Sequence, residues 1–275
     1  GMVVWEYKFD DIVKGTGTIW INQNADEIEK RYMILQGSRY GFKNDWKAKI
    51  IPSFRAISYI SGNELWRMNV KRTFSYSRDV DASPLVINDT AYIGLENGIF
   101  TVFNPDCNQK TERRGMKQPV VYQELMLYSD RDPALLDNGI NLVTESSPAK
   151  LGNRIYIASC NRVYGYNLNT RKFDWIFFIG SDIDGSPVIT SDSCLLISVE
   201  KQYIKGKGGL FKLDPSKAPE NAVVWYFATD DWRFGEWEGG IVGTAAHPRS
   251  DGRGRGWTAA PARCGSLASG RHAAR

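Results

Sequence analysis

Three stretches of this chain repeat one short phrase, and that repeat constrains the fold more than any candidate catalytic residue does. The copies are Val80-Asp81-Ala82-Ser83-Pro84-Leu85-Val86, Glu145-Ser146-Ser147-Pro148-Ala149 and Asp184-Gly185-Ser186-Pro187-Val188-Ile189. Each is followed by a polar turn and then an apolar segment rich in aromatics. After Ser83-Pro84 the turn is Asn88-Asp89-Thr90 and the segment Ala91-Tyr92-Ile93-Gly94. After Ser147-Pro148 they are Gly152-Asn153-Arg154 and Ile155-Tyr156-Ile157-Ala158. After Ser186-Pro187 they are Ser191-Asp192-Ser193 and Cys194-Leu195-Leu196-Ile197. The pattern predicts a strand, a tight turn and a second strand, three times over. Asn88-Asp89-Thr90 also spells a glycosylation sequon, but its place between two apolar runs predicts an ordinary hairpin turn.

A third strand follows each hairpin: Gly98-Ile99-Phe100-Thr101-Val102-Phe103, Arg162-Val163-Tyr164-Gly165-Tyr166 and Gly209-Leu210-Phe211-Lys212-Leu213. Phe54-Arg55-Ala56-Ile57-Ser58 fits the same slot earlier in the chain. A fourth strand then carries an aromatic at a fixed place, around Trp5, Trp66, Tyr122, Trp175 and Trp225. Four short antiparallel strands per repeat predict an all-β fold, a β-propeller of four-stranded blades. The five aromatics should occupy one slot, with Trp66, Tyr122, Trp175 and Trp225 largely buried in successive blades. The blade boundaries fall at about 6–66, 67–122, 123–175 and 176–225, with the start of a further blade over 226–244.

The propeller type is read from the same residues. A WD-repeat blade wants Gly-His and Trp-Asp pairs, but no histidine precedes His247 and no Trp-Asp dipeptide occurs. Kelch blades want paired glycines, and only Gly208-Gly209 and Gly239-Gly240 supply them. The phrase Ser-Pro-apolar, then Tyr-Ile-Gly, Gly-apolar-Phe, Asn-Pro and Trp resembles the repeat of pyrroloquinoline-quinone (PQQ)-type propellers over roughly residues 3–244. That family contains quinoprotein dehydrogenases and non-enzymatic relatives such as the propeller lipoprotein of outer-membrane assembly. The resemblance implies a propeller used as a binding or assembly scaffold, exported to the periplasm, with a protein partner or a small ligand. Two alternatives stay open: a quinoprotein oxidoreductase domain that binds PQQ and calcium, and a small-ligand sensor domain. Family dehydrogenases commonly stack their quinone on a disulfide between neighbouring cysteines. Cys107, Cys160, Cys194 and Cys264 include no neighbours.

Length and composition bound the rest. A chain of 275 residues buries a large core, and 42% hydrophobic with 12% aromatic residues suits an all-β protein. No apolar run approaches the ~20 residues of a membrane helix. No signal peptide is visible at Gly1-Met2, the pattern expected of an exported protein without its leader and equally of an excised domain. The last stretch, 245–275, differs from the body. It holds both histidines, His247 and His272, and six arginines, Arg249, Arg253, Arg255, Arg263, Arg271 and Arg275, against one acid, Asp251. The overall charge of +4 therefore resides in this Gly/Arg/Ala-rich tail. The tail is expected to be disordered or non-native, with no specific nucleic-acid role. Four repeats, a leading fourth strand at Trp5 and a trailing first strand at Ile241 predict a partial ring. Its open blade edges invite self-association.

Catalytic chemistry finds little support in the body of the chain, which lacks histidine for acid–base or triad work and for zinc. Cys194 aligns with Ala91 and Ile155 and reads as a small buried hydrophobe. Carboxylates are the remaining signal. Asp81, Glu145 and Asp184 stand two places before the repeated serines Ser83, Ser147 and Ser186, and Glu238 stands just before Gly239-Gly240-Ile241. Equivalent positions in successive blades converge near a propeller's axis. These acids should therefore form a ring that binds a hard cation such as calcium, or a basic ligand group. Glu200, at the end of a second strand, is expected at the same mouth. The plainer alternative is that these acids cap turns at the ring entrance.

Overall fold

A computed structural model describes residues 1–40, 48–106, 112–113, 116–129, 131–132, 142–204, 206–230 and 238–246. The tail from His247 and two of the four cysteines, Cys107 and Cys264, lie outside the described residues.

Four four-stranded antiparallel sheets follow one another along the chain. Blade 1 is β1 (Thr18–Ile21), β2 (Tyr32–Gly37), β3 (Phe54–Ser58) and β4 (Glu64–Met68). Blade 2 is β5 (Leu85–Ile87), β6 (Thr90–Leu95), β7 (Ile99–Asn104) and β10 (Val120–Met126), with a small hairpin of β8 (Glu112–Arg113) and β9 (Met116–Lys117) inserted before its last strand. Blade 3 is β11 (Ala149–Leu151), β12 (Arg154–Ser159), β13 (Arg162–Asn167) and β14 (Lys172–Phe178). Blade 4 is β15 (Val188–Ile189), β16 (Leu195–Val199), β17 (Gly209–Leu213) and β18 (Val223–Ala228). In every blade the four strands pair in the order in which the chain supplies them, through connections that run from tight turns to loops of about fifteen residues. Helix among the described residues amounts to one turn at Ile28–Arg31 and a 3-10 turn at Pro219–Asn221. The turn at Asn88-Asp89 has both residues at positive φ, 45° and 59°, the geometry of a tight two-residue hairpin.

The blades stack face to face on three apolar layers. Trp20, Leu35, Phe54 and Trp66 of blade 1 meet Ala91, Ile93 and Phe103 of blade 2. Phe100 and Val102 of blade 2 meet Ile155, Ile157 and Tyr166 of blade 3. Tyr156, Trp175 and Phe177 of blade 3 meet Leu195, Ile197 and Phe211 of blade 4. The two faces of each strand alternate between these layers, so one blade without its neighbours would leave both faces wet.

A second contact recurs at the blade periphery. The indole N–H of Trp66 donates to Pro105 O in blade 2 at 3.0 Å. That of Trp175 donates to Lys217 O in blade 4 at 2.9 Å. Each acceptor lies in the turn between the third and fourth strands of the next blade. Between blades 2 and 3 the donor is Gln123, whose Nε2 lies 2.9 Å from Arg171 O. Every fourth strand bulges one residue before this slot, at Leu65, Tyr122, Asp174 and Val224, so Tyr122 is the bulge residue of blade 2 and Gln123 the equivalent of Trp66, Trp175 and Trp225. This corrects the expectation for Tyr122: it is 55% exposed, and Gln123 takes its slot.

Two further expectations about the aromatics are corrected. The segment Val3–Tyr7 is not a strand. It is the start of an extended strap over the outer face of blade 1, and Trp5 still fills the aromatic slot: its indole N–H donates to Tyr59 O, in the blade 1 turn, at 2.9 Å. The strap also covers Arg55, which is fully buried, bonds Asp10 at 2.8 Å and lies under the rings of Phe9 and Tyr7. Trp225 is in the expected strand but is 40% exposed, whereas Trp66 and Trp175 are buried. No further blade covers it among the described residues.

Candidate functional site

The phrase serines tie the blades together at the inner rim. The backbone N–H of Ser83 donates to Ser147 Oγ at 2.9 Å, and that of Ser147 to Ser186 Oγ at 2.9 Å. The N–H of Ser186 donates to Thr244 Oγ1 at 3.0 Å. At the other end, Ser83 Oγ donates to Thr16 O at 2.6 Å. The first strand of each blade begins two residues after its phrase hydroxyl: Thr18 after Thr16, Leu85 after Ser83, Ala149 after Ser147 and Val188 after Ser186. This register aligns five phrases. Lys14-Gly15-Thr16 and Val242-Gly243-Thr244 are the two that sequence reading missed, because threonine replaces serine and no acid leads them.

The ring position therefore reads Lys14, Asp81, Glu145, Asp184, Val242. The register places Val242, not Glu238, at the fifth ring place. Glu238 precedes the Gly239-Gly240 step, where Gly240 forms an isolated bridge to Glu200. The second strands contribute the next layer, through the residue that follows each: Ser38, Glu96, Cys160 and Glu200. Glu96 occupies the same slot as Glu200, so the reading that singled out Glu200 had the signal for Glu96 as well.

These carboxylates fall into two groups. Asp81, Glu96 and Glu145 bring ligand oxygens within 4.8 Å of one another, and so do Asp182, Asp184 and Glu200. The two groups feel each other electrostatically: the charges of Asp81 and Asp184 act on Glu145, and that of Asp81 acts on Asp184. Lys14 enters the first group from the end of the strap and bonds Asp81 through Nζ. Gly15 beside it lies so close to the Asp81 carbonyl that a side chain would not fit.

The electrostatics follow from burial. Glu96 is 3% exposed; one carboxylate oxygen accepts from Ser77 Oγ, and the other, Oε1, has no donor among the described residues. Asp81 likewise keeps one oxygen, Oδ1, without a donor. Burial raises Glu96 well above the usual carboxylate range, and the charges of Asp81 and Glu145 add to it. Burial also pushes Glu145 up to about 7; the Asp184 charge adds and Lys14 opposes. Asp184 goes to about 7 through burial, then through the charge and hydrogen bond of Glu200. For Lys14, burial works against the charged form, but the bond to Asp81 and the charges of Asp81, Glu145 and Glu96 prevail and raise it. Tyr76, raised by burial and then by Glu96, and Tyr203 stand within electrostatic reach of the same mouth, and both are about 40% exposed.

The arrangement concentrates more negative charge than Lys14 neutralises, and it offers oxygen donors only. Such a donor set suits a hard cation. It fits the quinone poorly: Cys160, buried, is the free thiol of the described residues, and no adjacent cysteine pair exists. Cys194 fills its buried slot as aligned but is disulfide-bonded, which simple apolar filling does not require.

No family model matches the sequence, and no curated protein matches it. Solved structures do. A quinohemoprotein alcohol dehydrogenase of Pseudomonas putida superposes with a TM-score of 0.54 at 10% identity, over 82% of this chain and 35% of that one. The quinohemoprotein alcohol dehydrogenase of Comamonas testosteroni gives 0.53 at 9% identity, over 80% and 35%. BamB of Moraxella catarrhalis gives 0.46 at 13% identity, over 80% and 51%. The chain thus spans about half or less of the length of the structures it matches. Among the described residues no helix is long and apolar enough to cross a membrane. The fold is that of a β-propeller, with four blades among the described residues.

Proposed function

We propose that this chain is a non-catalytic PQQ-like propeller scaffold whose inner rim binds a cation. The observation that carries the reading is the Asp81–Glu96–Glu145 group, in which a carboxylate oxygen of the buried Glu96 has no donor among the described residues. A buried, unpaired carboxylate oxygen is costly, and a bound cation relieves that cost. Lys14 already places an ammonium at the edge of the group, so the site takes either a hard divalent ion or a basic organic group. The exposed tyrosines Tyr76 and Tyr203 favour an organic cation further, since aromatic faces attract one. Export and a protein partner belong to the same reading.

Isothermal titration with calcium chloride, magnesium chloride and a lysine amide, alongside melting temperature, tests it. One of the three should bind near pH 7 with release of protons, seen as a dependence of the heat on buffer ionisation. Glu96→Gln should remove most of the binding. Absence of heat and of any melting shift with all three would sink the reading.

A further inference from the structure

We infer that the outer face of blade 4 is a docking surface for the blade 1 face of a second copy of this chain. One inter-blade contact recurs four times in the molecule. Trp5, Trp66, Gln123 and Trp175 each donate a side-chain N–H to a carbonyl in the turn between strands three and four of the following blade. Trp225 stands in the donor slot of blade 4. Among the described residues nothing accepts its indole N–H.

The apolar face around it matches the buried interfaces. Trp175 and Phe177, two residues apart on β14, are 3% and 8% exposed because blade 4 covers them. Trp225 and Phe227 hold the same places on β18 and are 40% and 66% exposed. Residues of this size ordinarily supply the core of an interface.

The complementary surface exists on the same chain. Val86 on β5 packs into the layer between blades 1 and 2. Its counterpart on β1, Ile19, is 60% exposed, and Ile21 beside it is 50% exposed. Blade 1 also carries the acceptor, Tyr59 O, and Gly62, whose missing side chain leaves space for an indole ring. Trp5 holds that place from the strap, while Met2, Val3 and Val4 next to it are 89%, 77% and 83% exposed. Trp5 is thus an internal stand-in, held by one hydrogen bond and one ring contact, for the tryptophan of a preceding blade. Trp225 of a second copy has the residue type and strand position for that role. The contact is head-to-tail and continues the interface already used three times inside the chain. Two copies joined in this way carry eight blades, the upper end of the usual range of about 4–8.

The two tryptophans then have opposite effects, which generic stickiness would not produce. Sedimentation equilibrium should show reversible association of the wild-type chain. Trp225→Ala should weaken it about tenfold or more, the effect of losing one well-buried interface aromatic. Trp5→Ala, which vacates Tyr59 O, should strengthen it several-fold. A second measurement covers loss of folding in either variant: with Phe227→Cys on one copy and Ser61→Cys on another, mixing under mild oxidation should give a 227–61 cross-link. A wild-type chain that stays monomeric up to its solubility limit overturns the inference. So does weakening by both substitutions, or cross-linking of 227 only to 227.

Discussion

At the scale of single residues, the inner rim stores charge in a way that makes stability depend on pH. Glu145 and Asp184 both sit at about 7 in the folded chain, above their unfolded values of about 4.5 and 3.8. Between the unfolded and folded values the native state holds more protons than the unfolded state, so stability falls as pH rises through that window. Melting temperature should therefore decline from about pH 4 to about pH 7 and level off above it. Glu145→Gln should flatten the decline and, at pH 8, raise stability by ~1 kcal/mol, or ~2–4 °C, since a neutral amide no longer faces Asp184 and Asp81. A decline that is unchanged in Glu145→Gln would place the titrating group elsewhere. Three members of the rim, Asp81, Glu145 and Asp184, were legible as a shared offset from one phrase. Lys14 was not, because it occupies that offset with the opposite charge in a phrase whose serine has become threonine. Glu238 illustrates the reverse: it looked equivalent by its nearness to an apolar run, whereas the hydrogen bond of Ser186 to Thr244 sets the register.

At the scale of elements, strand type and order were legible because each blade repeats the same alternation between two buried faces. Local departures were not. Every fourth strand carries a bulge one residue before the aromatic slot, and blade 2 alone has an aromatic, Tyr122, at the bulge and Gln123 in the slot, so matching aromatic to aromatic misaligns it by one. Val3–Tyr7 has strand composition but forms no ladder with a strand among the described residues, and Trp5 reproduces the blade contact without one. The exposures of the tryptophans give a direct energetic comparison. Trp175→Ala removes a buried ring from between two blades and should cost ~3–5 kcal/mol. Trp225→Ala removes a ring that is 40% exposed and has no acceptor for its N–H among the described residues, and should cost less than half as much in dilute protein. Urea denaturation of the two variants at low concentration checks this. Equal costs would mean that blade 4 is covered as fully as blade 3.

At the scale of the whole molecule, the blades form a one-dimensional stack in which each touches only its neighbours, so stability should vary along it as in other repeat proteins. Blades 2 and 3 have an apolar layer on both faces. Blade 4 has one, and blade 1 has one plus the strap. The local cost of opening a strand rises with the apolar area it must expose, and end blades expose less. Amide hydrogen exchange in dilute protein should accordingly be slowest in β6, β7, β12 and β13, intermediate in β2 and β16, and fast in the strap. The decisive pair is β14 and β18. Both are fourth strands, both pair with a single neighbour, and both carry an aromatic pair toward the following blade, so edge position and sequence type are matched. Only the cover differs: β14 has blade 4 against it. β18 should therefore exchange measurably faster than β14 at low concentration and approach it as concentration rises, when a second copy supplies the cover. Protection of β18 equal to that of β14 in dilute solution would show that its face is already occupied within one chain, and the open-ended arc would have to be given up.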